Sequence, residues 1–193
     1  MKEKKVDLRI IKTKNLLYTT LISLLKDYTF EEIKVSDICN KALINRSTFY
    51  AHYTDKYELL ASCIEDIKEE LAEKLRSNKN ISNTKEYYME MLNLFLTHIE
   101  ENRDLFSSII INNKNSIIMD IFYATINADL TKRLKEEENK NDLNVPEEII
   151  TNFYVGAVVN VSIKWLTDYQ KYTKEDLISF LDLLIPDKIG EKK

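Results

Sequence analysis

The chain of 193 residues contains only two glycines and two prolines. That leaves little material for tight hairpins and argues against a β-sandwich. No apolar run approaches the roughly 20 residues needed to cross a membrane. The opening MKEKKVDLR lacks the apolar core of a signal peptide. The expectation is a cytoplasmic protein with no membrane partner. Cys39 and Cys63 show no C-x-x-C spacing, and two histidines offer little help in holding a metal. Cys39 is expected to be a small buried residue beside a helix's apolar stripe. Gly-rich phosphate loops, H-E-x-x-H and G-x-S-x-G are all missing. Carboxylates are plentiful but share faces with lysines, as on solvated helices. No enzyme activity, metal or cofactor is expected.

What the chain has in quantity is Leu, Ile, Lys and Glu in long stretches, which predicts an all-α protein. Its net charge of −4 hides an asymmetry. Residues 1–56 carry 11 Lys/Arg against 7 Asp/Glu, whereas residues 57–193 carry 17 against 25. A basic N-terminal module on an acidic body suits a nucleic-acid reader with a separate regulatory domain. The overall acidity disfavours a non-specific nucleoid binder.

The informative stretch is VSDICNKALINRSTFYAHYTDKYELL, Val35 to Leu60. Val35, Ile38 and Ala42 mark one face of a first short helix. Leu43 and Ile44 form an apolar turn, and Asn45 is placed to cap a second helix. Phe49 and Tyr53, four apart, face the core together. Arg46, Ser47, Thr48, Tyr50 and His52 stay outside, a polar, basic and aromatic face that suits a DNA groove. Asp55 is expected to cap the next helix, the fourth of the chain, with Glu58 as its capping-box partner.

With Thr48, Phe49, Tyr50, His52, Tyr53, Asp55, Lys56 and Leu59 or Leu60 in register, this segment resembles the helix-turn-helix of TetR-type transcriptional regulators. The resemblance covers about the first third of the chain. It implies a three-helix DNA-binding domain, about 1–56, followed by a helical effector-binding and dimerisation domain, 57–193, of which 57–76 is the linking helix. About nine helices are expected in total. It further implies that Tyr50, His52 and Lys56 clamp phosphates, while Arg46, Ser47 and Thr48 approach base edges or nearby phosphates. Thr13 and Lys14 near the start of the first helix, with Ser36, complete the expected DNA-binding set. Family members usually carry glycine where Thr29 and Leu43 stand, because both are turns that tolerate positive φ best at Gly. They also usually carry a capping Thr or Ser where Lys34 stands. Strain at Leu43 is expected to cost on the order of 1 kcal/mol.

Elsewhere the helical period predicts a first helix over 6–27 and a fourth through Leu59, Leu71 and Leu75. A polar boundary loop is expected over 77–83, then a helix from Thr84 broken at Asn102-Arg103. A short apolar helix follows, Leu105 to Ile111, with a break at 112–115. The next helix runs from Ser116 to about Glu138, and 135–144 is expected to be a solvated loop. Pro146 suits the first turn of a helix reaching about Tyr169. That helix is apolar nearly all round and so needs burial on more than one side, the second side being another subunit. A last helix opens at Thr173, with Asp176 as capping-box partner, and stops at Pro186.

Two further sets follow. Phe95, Phe106, Phe122, Tyr123, Tyr154 and Trp165 are candidates to enclose a small apolar effector. His98 is expected to be a satisfied core or surface histidine. Phe153, Gly156, Ala157, Val161, Leu177, Phe180, Leu181 and Leu184 are candidates for the homodimer interface. Together these features predict a repressor that binds a palindromic operator as a dimer and is released by an effector. The alternative is a co-activator or adaptor acting through a protein partner, with weak or no DNA binding.

Overall fold

In the computed structural model, residues 8–76, 83–113, 117–138, 145–168 and 171–186 are described. Nine helices and no strands lie among them: α1 Leu8–Leu25, α2 Val35–Ala42, α3 Arg46–Tyr50, α4 Lys56–Arg76, α5 Thr84–Glu101, α6 Arg103–Asn113, α7 Ile117–Glu138, α8 Glu147–Thr167 and α9 Lys174–Leu184. The all-α expectation holds. Of the expected break at 112–115, Asn112 and Asn113 instead close α6; residues 114–115, with residues 6–7 of the expected first helix, 77–82 of the expected boundary loop, 139–144 and Tyr169, lie outside the described residues.

One apolar core joins the first four helices. Leu17, Leu21 and Leu25 of α1 pack with Phe30, Ile38, Phe49, Tyr53, Leu59 and Cys63, and Ile109 of α6 enters the same cluster. A second core, around Leu96, Ile99, Trp165, Leu177 and Leu181, ties α5 to α8 and α9. A third, around Leu130, Leu134, Ile150, Val155 and Val159, seals α7 against α8.

Local signals explain most helix ends. Thr173 Oγ1 accepts from the Asp176 N–H at 3.1 Å, and Asp176 Oδ2 accepts from the Thr173 N–H at 3.0 Å, so the expected capping box forms. Asp55 Oδ1 accepts from the N–H groups of Tyr57 and Glu58, both at 2.8 Å. The Glu58 carboxylate, however, reaches one residue further back than expected and takes the N–H and hydroxyl of Thr54. Pro146 is the residue before α8 rather than its first turn. At the break between α5 and α6, Arg103 turns its guanidinium onto the Trp165 ring, 4.7 Å from its centre, and donates to the carbonyls of Trp165 and Leu166. A cation on the last carbonyls of α8 complements the helix dipole.

Helix α8 is by itself long and apolar enough to cross a membrane, contrary to the reading from apolar runs. It packs instead against α6, α7 and α9, and its polar positions Asn152, Asn160 and Lys164 interrupt the apolar surface, as in the core helix of a bundle.

Candidate DNA interface, body cavity and dimer face

The turn between α2 and α3 forms without glycine. Leu43 adopts φ 55° and ψ 40°, the left-handed region, and is the one non-glycine residue with positive φ among those described. The Leu43 N–H reaches Asn40 O at 3.3 Å and the Ile44 N–H reaches Cys39 O at 3.0 Å. That pair of bonds is a Schellman C-cap. The Leu43 side chain is 92% exposed, so its strain has no packing to offset it. Thr29 needs no positive φ. It closes its turn by donating its N–H and hydroxyl to Glu32 Oε2, both at 2.9 Å. Lys34 has no side-chain acceptor to offer α2. Half of the cap is supplied instead by Asp37 Oδ2, which accepts the Lys34 N–H at 2.9 Å.

Regular helix in α3 ends at Tyr50, shorter than the expected run to Tyr53, and Asn45 caps it through its backbone carbonyl without a side-chain bond. Phe49 is fully buried, and Tyr53 packs beside it with ring centres 6.0 Å apart. Arg46, Ser47 and Tyr50 stand exposed, while Thr48 and His52 are half-buried. Tyr50 is steadied edge-on by Phe49 at 5.5 Å. Lys14 is half-buried, its ammonium 5.8 Å from the centre of the Tyr53 ring. Thr13 donates its hydroxyl back to Arg9 O, and Ser36 lies 3.5 Å from Asp37 Oδ1.

Lys56 departs from its expected part as a phosphate clamp. Its ammonium donates to the carbonyls of Phe30 at 2.7 Å, Glu31 at 3.1 Å and Ile33 at 2.7 Å. An ammonium has three N–H donors, so none is left for a phosphate oxygen. Burial depresses its pKa, opposed by the nearby Glu31 carboxylate. This lysine braces the segment between α1 and α2.

The body holds a cavity of about 300 Å³. Phe95, Phe106, Phe122, Tyr154 and Trp165 line it, as the sequence suggests, but Tyr123 does not. Residues of α1 and α4, Tyr18, Leu60 and Cys63 among them, close its other side. They were missed because the same leucines and aromatics read equally well as core. His98 sits edge-on to Phe106 at 5.5 Å, outside the lining. Burial pushes the Tyr18 hydroxyl and the Cys63 thiol up to about 12 each, so both stay neutral.

Two of the candidate interface residues are corrected. Leu177 and Leu181 are buried in the protomer, packed with Leu96 and Trp165, because the inner face of α9 is the one that docks on α5. Phe153 is 67% exposed, and Ala157, Phe180 and Leu184 are also exposed; Val161 is half-buried. A Cβ at Gly156 would meet nothing within 4 Å. Ile149 and Leu183 are exposed beside them. The period from Phe153 back to Ile149, and from Phe180 on to Leu183, carried that signal.

A three-helix unit with an exposed polar recognition helix, on a helical body, defines a helix-turn-helix regulator. Residues 86–187 match the TetR-type family described as "Transcriptional regulator C-terminal region", and the chain belongs to the TetR-type transcriptional regulators. It is 38% identical over 65 residues, a third of its length, to the uncharacterised HTH-type transcriptional regulator YxbF of Bacillus subtilis strain 168. It is 28% identical over 132 residues, 67% of its length, to the dhaKLM operon transcriptional activator DhaS of Lactococcus lactis subsp. lactis strain IL1403. Those matches span only 17% and 65% of the two relatives' own lengths. A crystal structure of a TetR transcriptional regulator from Streptococcus agalactiae 2603V is similar at a TM-score of 0.63 and 27% identity, covering 91% of this chain and 94% of that one.

Proposed function

We propose that this regulator reads a palindromic DNA site as a homodimer. Residues 1–56 read the DNA and 57–193 form the pairing and sensing body. The observation that carries the reading is the exposed Arg46, Ser47 and Tyr50 on a helix anchored by the buried Phe49. Small polar, basic and aromatic groups on such a helix suit base edges and phosphates in a major groove. Dimerisation sets two such helices about 34 Å apart, or a small multiple of that. Pairing runs through the outer faces of α8 and α9, and a small-molecule effector enters the cavity of the body. It acts by preferring one of two dimer geometries, since equal affinity for both shifts nothing. The protein works in the cytoplasm, where its DNA is.

Repression is the direct outcome where the site overlaps a promoter. Activation is the second reading, favoured by the likeness to DhaS, which is named an operon activator.

The test is selection of bound genomic fragments by the purified protein near physiological salt, with an Arg46→Ala/Tyr50→Ala variant in parallel. A palindrome enriched by the parent and lost in the variant is the expected result. If neither enriches any fragment, the DNA reading falls and a protein partner must be sought instead.

A further inference from the structure

We infer that the body cavity takes an uncharged, hydrocarbon-rich small molecule and rejects both anions and cations. This deepens, and rests on, the reading of the body as a sensor. Each charged group at the cavity wall already has a partner inside the protein. Lys68 holds Glu65 at 2.7 Å and lies 3.9 Å from Asp129. Asp129 also accepts the Tyr88 hydroxyl at 2.8 Å. Lys85 is turned onto Asp182, 2.9 Å from its carbonyl and 3.1 Å from its carboxylate.

The small hydroxyls are committed as well. Thr125 donates to Ile121 O at 2.9 Å, and Ser162 donates to Val158 O at 2.8 Å. A ligand carboxylate or ammonium would therefore lose its water and gain no counter-charge, which strongly disfavours burial. Hydrocarbon meets Phe95, Phe122, Leu92 and Ile126 at no such cost. A volume of about 300 Å³ sits at the small end of ligand pockets.

Trp165 is the sole tryptophan and lines the cavity, so its fluorescence reports occupancy without any DNA. The probes are decanol, decanoate and decylammonium, matched in chain length and differing in charge, with decanol below its solubility limit and the two ions below their micelle concentrations. Decanol is expected to shift the Trp165 emission saturably. The two ions should bind on the order of 100-fold more weakly. A Ser162→Phe variant, checked for native helicity, fills the cavity and should abolish the decanol response.

Decanoate or decylammonium binding within tenfold of decanol overturns the inference. So does failure of all three to bind, or an undiminished decanol response in Ser162→Phe. Because the titration involves no operator, a saturable decanol response without any change in DNA affinity would leave the ligand class standing and remove only the sensing role.

Discussion

The backbone N–H of Phe30 donates to the buried Oδ1 of Asn113 at 2.7 Å, across 83 positions of sequence. On the other side of the same residue, the Phe30 carbonyl takes the Lys56 ammonium. Two flanking bonds fasten the same junction: Asn112 Nδ2 to Lys26 O at 2.7 Å, and the Ile117 N–H to Glu31 Oε1 at 3.1 Å. The end of α6 thus grips the segment between α1 and α2, while Phe106, Ile109 and Ile110 of the same helix line the cavity. Replacing Asn113 by Ala strands a buried N–H, at a cost of about 1–3 kcal/mol. Urea unfolding should show that loss, and amide exchange at Phe30 should quicken. An unchanged midpoint with unchanged exchange would rule out the junction as a mechanical link.

Lys56 supplies a sharper contrast. If it braces carbonyls, Lys56→Met keeps the stem near the Phe30 and Tyr57 rings yet leaves three oxygens without their donor. Stability should fall by about 1–3 kcal/mol, while the salt dependence of DNA binding keeps its slope. A phosphate clamp behaves oppositely, its loss lowering the slope by about 1. Finding that second pattern in the variant, with stability intact, would return Lys56 to the DNA face.

The Asn113 bond and the Lys56 brace were not legible in the sequence, whereas the helices around them were. Phe49 and Tyr53 announced their burial through four-residue spacing, and Thr173 with Asp176 announced a helix start. Asn112-Asn113 looked like an ordinary polar break, because local pattern does not show which distant backbone group will need an acceptor. Leu177 and Leu181 misled for a related reason. Periodicity identified the apolar positions of α9 without saying which of them pack inside the chain and which stay exposed. Leu43 was legible through what it replaced: the helix-turn-helix geometry persisted and the side chain bore the strain.

Leu43 therefore offers a stabilising change. Leu43→Gly removes the contact between Cβ and carbonyl that penalises φ 55°, offset in part by the freer unfolded chain. With Leu43 exposed there is no packing to lose, so a net gain of up to about 1 kcal/mol is expected. Thermal unfolding measures it. A lower midpoint in the glycine variant would mean that Leu43 makes a favourable contact in the folded protein.

Part of the acid sensitivity should lie in the turns that flank the recognition unit. Hydrogen bonds from the backbone and hydroxyl of Thr54 hold the Glu58 carboxyl below its ordinary 4.5, and those from Thr29 do the same for Glu32. Both pKa values are lower folded than unfolded. Their contribution is thus present above the unfolded value and lost as pH falls through the folded one. A Glu32→Gln/Glu58→Gln variant should show a flatter loss of stability between neutral pH and about pH 3. A variant whose acid limb parallels the parent's would locate acid sensitivity elsewhere.

The outer faces of α8 and α9 carry the assembly prediction. Ile149, Phe153 and Ala157 on one helix, and Phe180, Leu183 and Leu184 on the other, repeat at helical spacing and face outward. Leu183 is 81% exposed, and contiguous apolar surface of this kind marks an interaction site. Phe153→Glu and Leu183→Glu should leave the protomer's helicity unchanged, since neither side chain packs in its core. Both should convert a dimer to a monomer in sedimentation. Leu181→Glu, by contrast, places a charge in the core with Trp165 and should unfold the protomer. Monomeric variants should also lose affinity for a palindrome far more than for one half-site, because the linkage between two binding events disappears. If Phe153→Glu and Leu183→Glu sediment with the parent as dimers, the subunits pair through some other surface, and the spacing of the two recognition helices must be sought there.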